Sequence, residues 1–365
     1  MDRRTFLTAA GVAPVVATLP RWAFAQTFDP QPGRWRTFEL VTRVEIPTPA
    51  SGTRAWIPVP VVDAAWQKPM ASHWTGNGRT MEQITDKKYG ASMLYAEWTD
   101  GEKTPWVEVV SRFQTQGRAH DWSRKGAASP ESAATLAMWT QPTDLMPTDG
   151  IVKKTANEIT QGRASDVDKV RALYDWVVTN SYREPTVRGC GVGDIAAMLE
   201  TGNLGGKCAD LNALFVGMAR SVGIPARDVY GIRVAKSAFG YKALGAGSAD
   251  VTKAQHCRAE VYLKDYNWVA MDPADVLKVM REETPEWIKS TSNQLVVPVN
   301  ARLFGGWEGN WVGYNVAHDV TLPNSKGAKV AFFMYPQGES SDGRFDSLDP
   351  DNFKYKITAR EIAGA

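Results

Sequence analysis

The sequence predicts an α+β fold in which a β-sandwich precedes a domain of helices packed on an antiparallel sheet. Three observations predict it. Residues 33 to about 120 carry short period-two runs separated by Gly and Pro signals. Residues 165 to 222 switch to helical spacing, and from residue 229 the period falls back to two.

The first 25 residues stand apart. Asp2-Arg3-Arg4-Thr5-Phe6-Leu7 places paired arginines before an apolar stretch, Phe6 to Leu19, that ends near Ala23-Phe24-Ala25. A charged region, a short apolar region and a small-x-small site in that order predict a cleaved export signal, and the Arg-Arg-Thr-Phe-Leu run resembles the twin-arginine type. Pro14 interrupts the apolar run, and it falls short of the roughly 18 to 20 residues a membrane span needs. The expected localisation is therefore periplasmic or otherwise exported, with no stable membrane span after cleavage. The full chain of 365 residues has a formal net charge of +2. The signal holds three arginines against one aspartate, so the mature chain is near neutrality. Apolar residues make up 43% and charged residues 22%, as in ordinary globular proteins, and no basic run marks a nucleic-acid partner.

Within residues 26–126, the predicted sandwich, Thr37 to Val44 alternates apolar and polar positions. Thr53 to Pro60 is bounded by Gly and Pro, and Trp106 to Phe113 is again β-rich. Residues 127–147 are Pro-, Thr- and Ser-rich and predict a linker. The remainder, 148–365, is the predicted catalytic domain with a C-terminal β extension. Ser165 caps a helix whose Val167, Val170, Leu173 and Val177 share a face. A short helix from Asp194 stops at Gly202. The pair Gly205-Gly206 then leads into Lys207-Cys208-Ala209-Asp210, with Leu211, Leu214, Phe215 and Met218 at helical spacing until Gly223 and Pro225 end the run. Strands are expected at Val229 to Val234, His256 to Leu263 and Trp268 to Asp272. Further β-type runs cover Lys329 to Met334 and Phe353 to Thr358.

Three cysteines at 190, 208 and 257 make an odd count, so in an exported chain at least one thiol stays unpaired unless it pairs between chains. Cys208 sits at a predicted helix start, where free backbone N–H groups and the helix dipole favour a thiolate. Its own backbone N–H is placed to stabilise an oxyanion. Of the histidines at 73, 120, 256 and 318, only His256 begins a strong strand shortly after that helix. Asp272 closes the next strand, where a carboxylate can hold one imidazole nitrogen and leave the other for sulfur. His256 and Asp272 share a sheet face only if the hairpin between their strands has an odd loop or a bulge near Lys264 to Asn267. Cys257 alternates with Ala259, Val261 and Leu263 and reads as core. Cys190 lies in a glycine-rich turn, and its pairing with Cys257 is left open. No paired-ligand spacing marks a metal, and no cofactor motif is present.

These residues resemble the transglutaminase-like superfamily of papain-like cysteine enzymes. Gly206 to Phe215, continuing through Ala219 to Arg227 and Gly231, is similar to its nucleophile helix and following strand. Leu173 to Val177 with Asn180-Ser181-Tyr182 is similar to the helix upstream. His256, Glu260-Val261, Trp268 and Asp272-Pro273 match the histidine and aspartate blocks. The resemblance covers about residues 150 to 280 and is looser over the sandwich. It implies a papain-like core and acyl transfer through a Cys208 thioester on amide bonds of peptide or protein substrates. His256 would move the proton and Asp272 would orient the ring, with Trp176 as a candidate oxyanion side chain. Hydrolysis is favoured over amine transfer, because no lysine-binding channel is legible. A catalytically silent peptide- or protein-binding module of the cell envelope is the alternative. One position departs from the family: Arg258 stands where an aromatic residue often follows the histidine.

Overall fold

The computed structural model describes residues 27–126 and 131–362, so the expected signal, residues 1–25, lies outside the described residues. Six strands open the chain: β1 Arg36–Glu45, β2 Arg54–Val59, β3 Gln67–Gly76, β4 Thr80–Thr85, β5 Ser92–Glu97 and β6 Trp106–Thr115. Helices follow: α1 Ala133–Met138, α2 Gly150–Thr160, α3 Asp166–Asn180, α4 Ile195–Thr201 and α5 Cys208–Ser221. Then come β7 Ala226–Arg233, β8 Gln255–Leu263, β9 Asn267–Met271, α6 Pro273–Glu282 and β10 Trp311–Asn315. Near the end of the chain lie β11 Gln337–Ser340 and β12 Lys354–Ile362.

The mixed α/β architecture with antiparallel sheets agrees with the predicted class. One sandwich sheet has the order β12-β1-β6-β3, and the other runs from the Gly343–Arg344 strand through β11-β2-β5-β4. Two of these strands come from the far end of the chain. β12 pairs along all of β1 but its first residue, from Thr37 opposite Ile362 to Glu45 opposite Lys354, and β11 pairs with β2. The predicted C-terminal extension of the catalytic domain therefore completes the N-terminal sandwich. Period-two alternation identifies a strand but says nothing of its partner.

Residues 131–147 also differ from a plain linker. Ser132 accepts a hydrogen bond from Thr135 N–H to cap α1, and Trp139 and Met146 are buried.

The second layer system places α5 on the sheet β9-β8-β7-β10. Every residue of α5 is buried, as befits a helix apolar on nearly all sides and enclosed by other elements. Leu211, Leu214, Phe215 and Met218 pack with Cys257, Ala259 and Val261 of β8 and with Val170, Leu173 and Val177 of α3. This packing fixes where the first turn of α5 points.

Candidate active site

Cys208 is the first residue of α5 and is 3% exposed. As a first-turn residue its N–H has no partner within the helix. The start of the helix is tied down by Asp210. One of its oxygens accepts from Lys207 N–H at 2.9 Å, and the other accepts from Val192 and Gly193 N–H at 2.8 and 2.9 Å. A carboxylate at the third helical position reaching back to the cap N–H is half of a capping box. Gly191 and Gly206 are glycines for this reason. A Cβ on Gly191, which also has φ +96°, would lie 1.8 Å from Asp210, and one on Gly206 would lie 2.5 Å from it. The Gly205-Gly206 pair forms no loose turn; it is a short extended segment beside Tyr182–Arg183.

His256 is the second residue of β8, 3% exposed, with its carbonyl accepting from Trp311 Nε1 at 2.9 Å. Its ring Nε2 lies 2.8 Å from Asp272 Oδ2 and 3.3 Å from Asp275 Oδ2. Both carboxylates bind the same nitrogen, which leaves Nδ1 free of them, and the ring lines one cleft with Cys208.

The hairpin explains how Asp272 reaches the ring. In the β8–β9 register Ala259 faces Met271 and Leu263 faces Asn267, leaving a three-residue loop of Lys264, Asp265 and Tyr266. The loop is odd, and Asn267 takes a left-handed φ of 62° to close it. Continuing the register puts Asp272 beside Arg258 and diagonal to His256, on one face. Asp272 is also the N-cap of α6: Oδ1 accepts from Asp275 N–H at 3.1 Å, and Pro273 occupies the first helical position. The turn-forming and ring-holding roles of this Asp-Pro pair are compatible because each uses a different oxygen.

Asp275, Arg233 and Asn212 escaped the sequence reading, and Arg258 entered it only as a departure from the family. Asp275 comes one turn into α6, and its Oδ1 lies 2.5 Å from Arg233 of β7. Asn212, one turn into α5, donates to Cys257 carbonyl at 2.9 Å and to Asp272 Oδ1 at 3.3 Å, and accepts from Ala274 N–H. It locks α5, β8 and α6 together around the site. Arg258 stacks on Trp311 and Trp307, with Nε 3.6 Å from Asp272. The Asp272-Pro273-x-Asp275 spacing ahead of an amphipathic run was the one local signal for Asp275.

Trp176 is placed elsewhere. It is half-buried on α3, its carbonyl accepting from Asn180, and it is absent from the described residues that line the cleft over Cys208. Helical periodicity gives the face of a side chain but not which neighbour's cleft it reaches.

The electrostatics follow from burial and pairing. Burial and the Arg233 guanidinium oppose a proton on His256, but Asp275 and Asp272 outweigh them and hold its pKa up at about 10. Contacts from the Cys190 and Cys257 thiols, and then from His256, hold the Cys208 thiol well below its ordinary value despite burial. Burial pushes Asp275 up, but Arg233 wins and holds it well below the usual carboxylate range. Burial and then Asp275 push Asp272 up, against His256 and Arg258. Cys208, Asp272 and Asp275 thus face three cations: His256, Arg233 and Arg258. The charges balance when the thiol is ionised and the imidazole protonated, the state a nucleophilic cysteine needs.

His256, Asp272 and Asp275 stand close enough to surround a cation. Arg233 and Arg258 already neutralise the two carboxylates, and the imidazole nitrogen near them carries their hydrogen bonds, so the donor set suits a proton better than a metal. All three cysteines are free thiols, so neither a Cys190–Cys257 bridge nor any other disulfide seals the sulfur.

A cleft of about 580 Å³ opens over Cys208 and His256. Its wall is cationic. Arg183 and Lys278 pair with Glu282, and Arg188 pairs with Asp346, but no ion pair is found for Lys207 or Lys253 among the described residues.

This helix-tip thiol against a strand-borne imidazole lies in a segment with known relatives. Residues 153–273 match the model of the transglutaminase-like superfamily. An uncharacterized protein of Haemophilus influenzae is 34% identical over 353 residues, 90% of each chain. The chain belongs to the transglutaminase-like superfamily. Among solved structures, a candidate cysteine protease from Cytophaga hutchinsonii aligns with a TM-score of 0.52 at 15% identity, over 90% of this chain and 99% of that one, which shows a shared fold. The periplasmic domain of TgpA from Pseudomonas aeruginosa aligns with a TM-score of 0.34 at 16% identity, over 70% of this chain and 94% of that one.

Proposed function

We infer that this member of the superfamily is an exported cysteine hydrolase that cleaves amide bonds of peptide or protein substrates through a thioester. One observation carries the reading: a thiol at a helix tip and an imidazole braced by two buried carboxylates line the same cleft. In this mechanism the Cys208 thiolate attacks the amide carbonyl, whose developing oxyanion takes the free N–H of Cys208. His256 gives its proton to the leaving amine, and Asp272 keeps the ring oriented. Water then attacks the thioester with His256 as base.

Water is favoured over an amine acceptor on electrostatic grounds. Lys207 and Lys253, with no ion pair among the described residues, line the approach beside the paired Arg183 and Arg188, and a protonated amine entering there is repelled. The same cations favour acidic side chains flanking the scissile bond. The test is a peptide-library digest by wild type and Cys208→Ala, with and without added amine. New carboxyl termini from wild type alone support hydrolysis. Amine adducts would make the protein a transferase, and identical silence from both proteins would favour a binding module.

A further inference from the structure

Cys190 has no role in the proton shuttle, yet it is built against it. Its carbonyl accepts from Ala209 N–H at 2.9 Å, in the first turn of the helix that begins with Cys208. The Asp210 carboxylate binds Val192 and Gly193 N–H with one oxygen and Lys207 N–H with the other, so one side chain fastens the Cys190 loop to the start of α5. Cys190 lines the same cleft as Cys208, is 7% exposed, and has its Sγ 3.5 Å from the Gln255 carbonyl. The two thiols share that wall closely enough for each to influence the other's ionisation.

We propose that Cys190 is the resolving thiol of Cys208, so that a hydroperoxide entering the cleft converts the two into a disulfide that shuts the site reversibly. This rests on Cys208 being the reactive thiolate of the proposed hydrolase. The Cys208 sulfur attacks one peroxide oxygen, the O–O bond breaks, and the departing hydroxide takes the His256 proton to become water. Cys208 is then a sulfenic acid. The Cys190 thiol attacks that sulfur, an S–S bond forms, and the oxygen leaves as a second water with the Cys190 proton. Two thiols are oxidised by two electrons and hydrogen peroxide is reduced to two waters.

Geometry selects Cys190 over Cys257, the other thiol whose ionisation is tied to that of Cys208. Cys257 is fully buried in mid-strand, pairs with Tyr230 of β7 and is not part of the cleft wall. Cys190 lies between Gly189 and Gly191, both at positive φ, on the wall that peroxide reaches. Its contact with Cys208, and then burial, keep the Cys190 thiol well above the ordinary range. It therefore stays protonated while the Cys208 thiolate takes the peroxide, and it becomes the attacking thiol only once that thiolate has been consumed.

The test treats the signal-free protein with hydrogen peroxide, blocks remaining thiols, and maps peptides by mass spectrometry before and after a dithiol reductant. Wild type should yield a Cys190–Cys208 linked peptide that has lost two hydrogens, and Cys208 alkylation should vanish and return on reduction. In Cys190→Ser and Cys190→Ala, Cys208 should gain two or three oxygens and stay unreactive after reduction. Cys257→Ser should behave as wild type. A Cys208–Cys257 bridge, or full recovery by both Cys190 variants, would overturn the proposal. Failure of untreated Cys208 to alkylate faster than an unfolded-chain cysteine strikes the hydrolase reading instead, and the linked-peptide map still decides the resolving role. Matching circular dichroism melts establish that the serine and alanine variants are folded.

Discussion

Asp272 divides its carboxylate between two tasks: Oδ2 stands 2.8 Å from the His256 ring, and Oδ1 caps the helix that starts at Pro273. A substitution at this position therefore has separable effects. Asp272→Asn keeps an oxygen for the cap but loses the charge beside the imidazolium. It should melt below wild type, because Arg258 and the imidazolium lose a buried counterion. Its kcat/KM should fall by on the order of 10² to 10⁴, as for loss of a ring-orienting carboxylate. Asp272→Ala loses both tasks, and should add roughly 1 kcal/mol or more of destabilisation from the missing cap. Equal melting temperatures for the two variants would mean that the cap contributes nothing.

The thiolate–imidazolium pair sets a pH window. Activity needs Cys208 ionised and His256 protonated. With the thiol held low and the imidazole raised to about 10, kcat/KM should stay high through neutral pH and fall as pH approaches 10. Stability follows the same group. A histidine raised from 6.5 contributes stability that is whole below pH 6.5 and is lost as pH climbs to about 10. Wild type should therefore lose melting temperature over that range more steeply than His256→Gln. Parallel slopes would show that the ring is not charged in the folded protein.

What could be read in advance was local. The α5 start at Cys208, the cap at Ser165, the short helix beginning near Asp194 and the odd β8–β9 loop all follow from neighbours within a few residues. Asp275, Arg233 and Asn212 reach the site from three elements whose meeting depends on packing, and no single segment announces it. Likewise Ile362 faces Thr37 across almost the whole chain, a pairing that alternation in either strand does not encode. Missing Asp275 had a consequence, because the histidine answers to two carboxylates rather than one.

That second carboxylate is the subject of another test. Asp275→Asn leaves Arg233 buried without its counterion, which costs about 3 to 5 kcal/mol when one partner of a buried pair is removed. It also removes the first of the two charges that raise His256, so the alkaline limb of Cys208 alkylation should move to lower pH. The double variant Arg233→Met with Asp275→Leu should regain much of the lost stability and bring the limb back toward its wild-type position, because it also removes the guanidinium that opposes the imidazole proton. The single variant is therefore the one that reads the shift. A limb that stays in place would reduce Asp275 to a partner of Arg233 alone.

Gly191 offers a purely steric test of how the helix tip is held. Its φ of +96° is strained for any other residue, and a Cβ there would lie 1.8 Å from the Asp210 oxygen that binds Lys207 N–H. Gly191→Ala must expel that carboxylate, freeing the N–H groups of Lys207, Val192 and Gly193 that it now satisfies. Backbone strain alone costs roughly 1 to 3 kcal/mol, and the lost hydrogen bonds add to it. The denaturation midpoint should fall, and Cys208 alkylation should slow because the helix tip no longer presents its sulfur to His256. Asp210→Ala in the same background relieves the clash without restoring the clamp. It should recover part of the stability and little of the reactivity, and recovery of both would show that the clash mattered and the clamp did not.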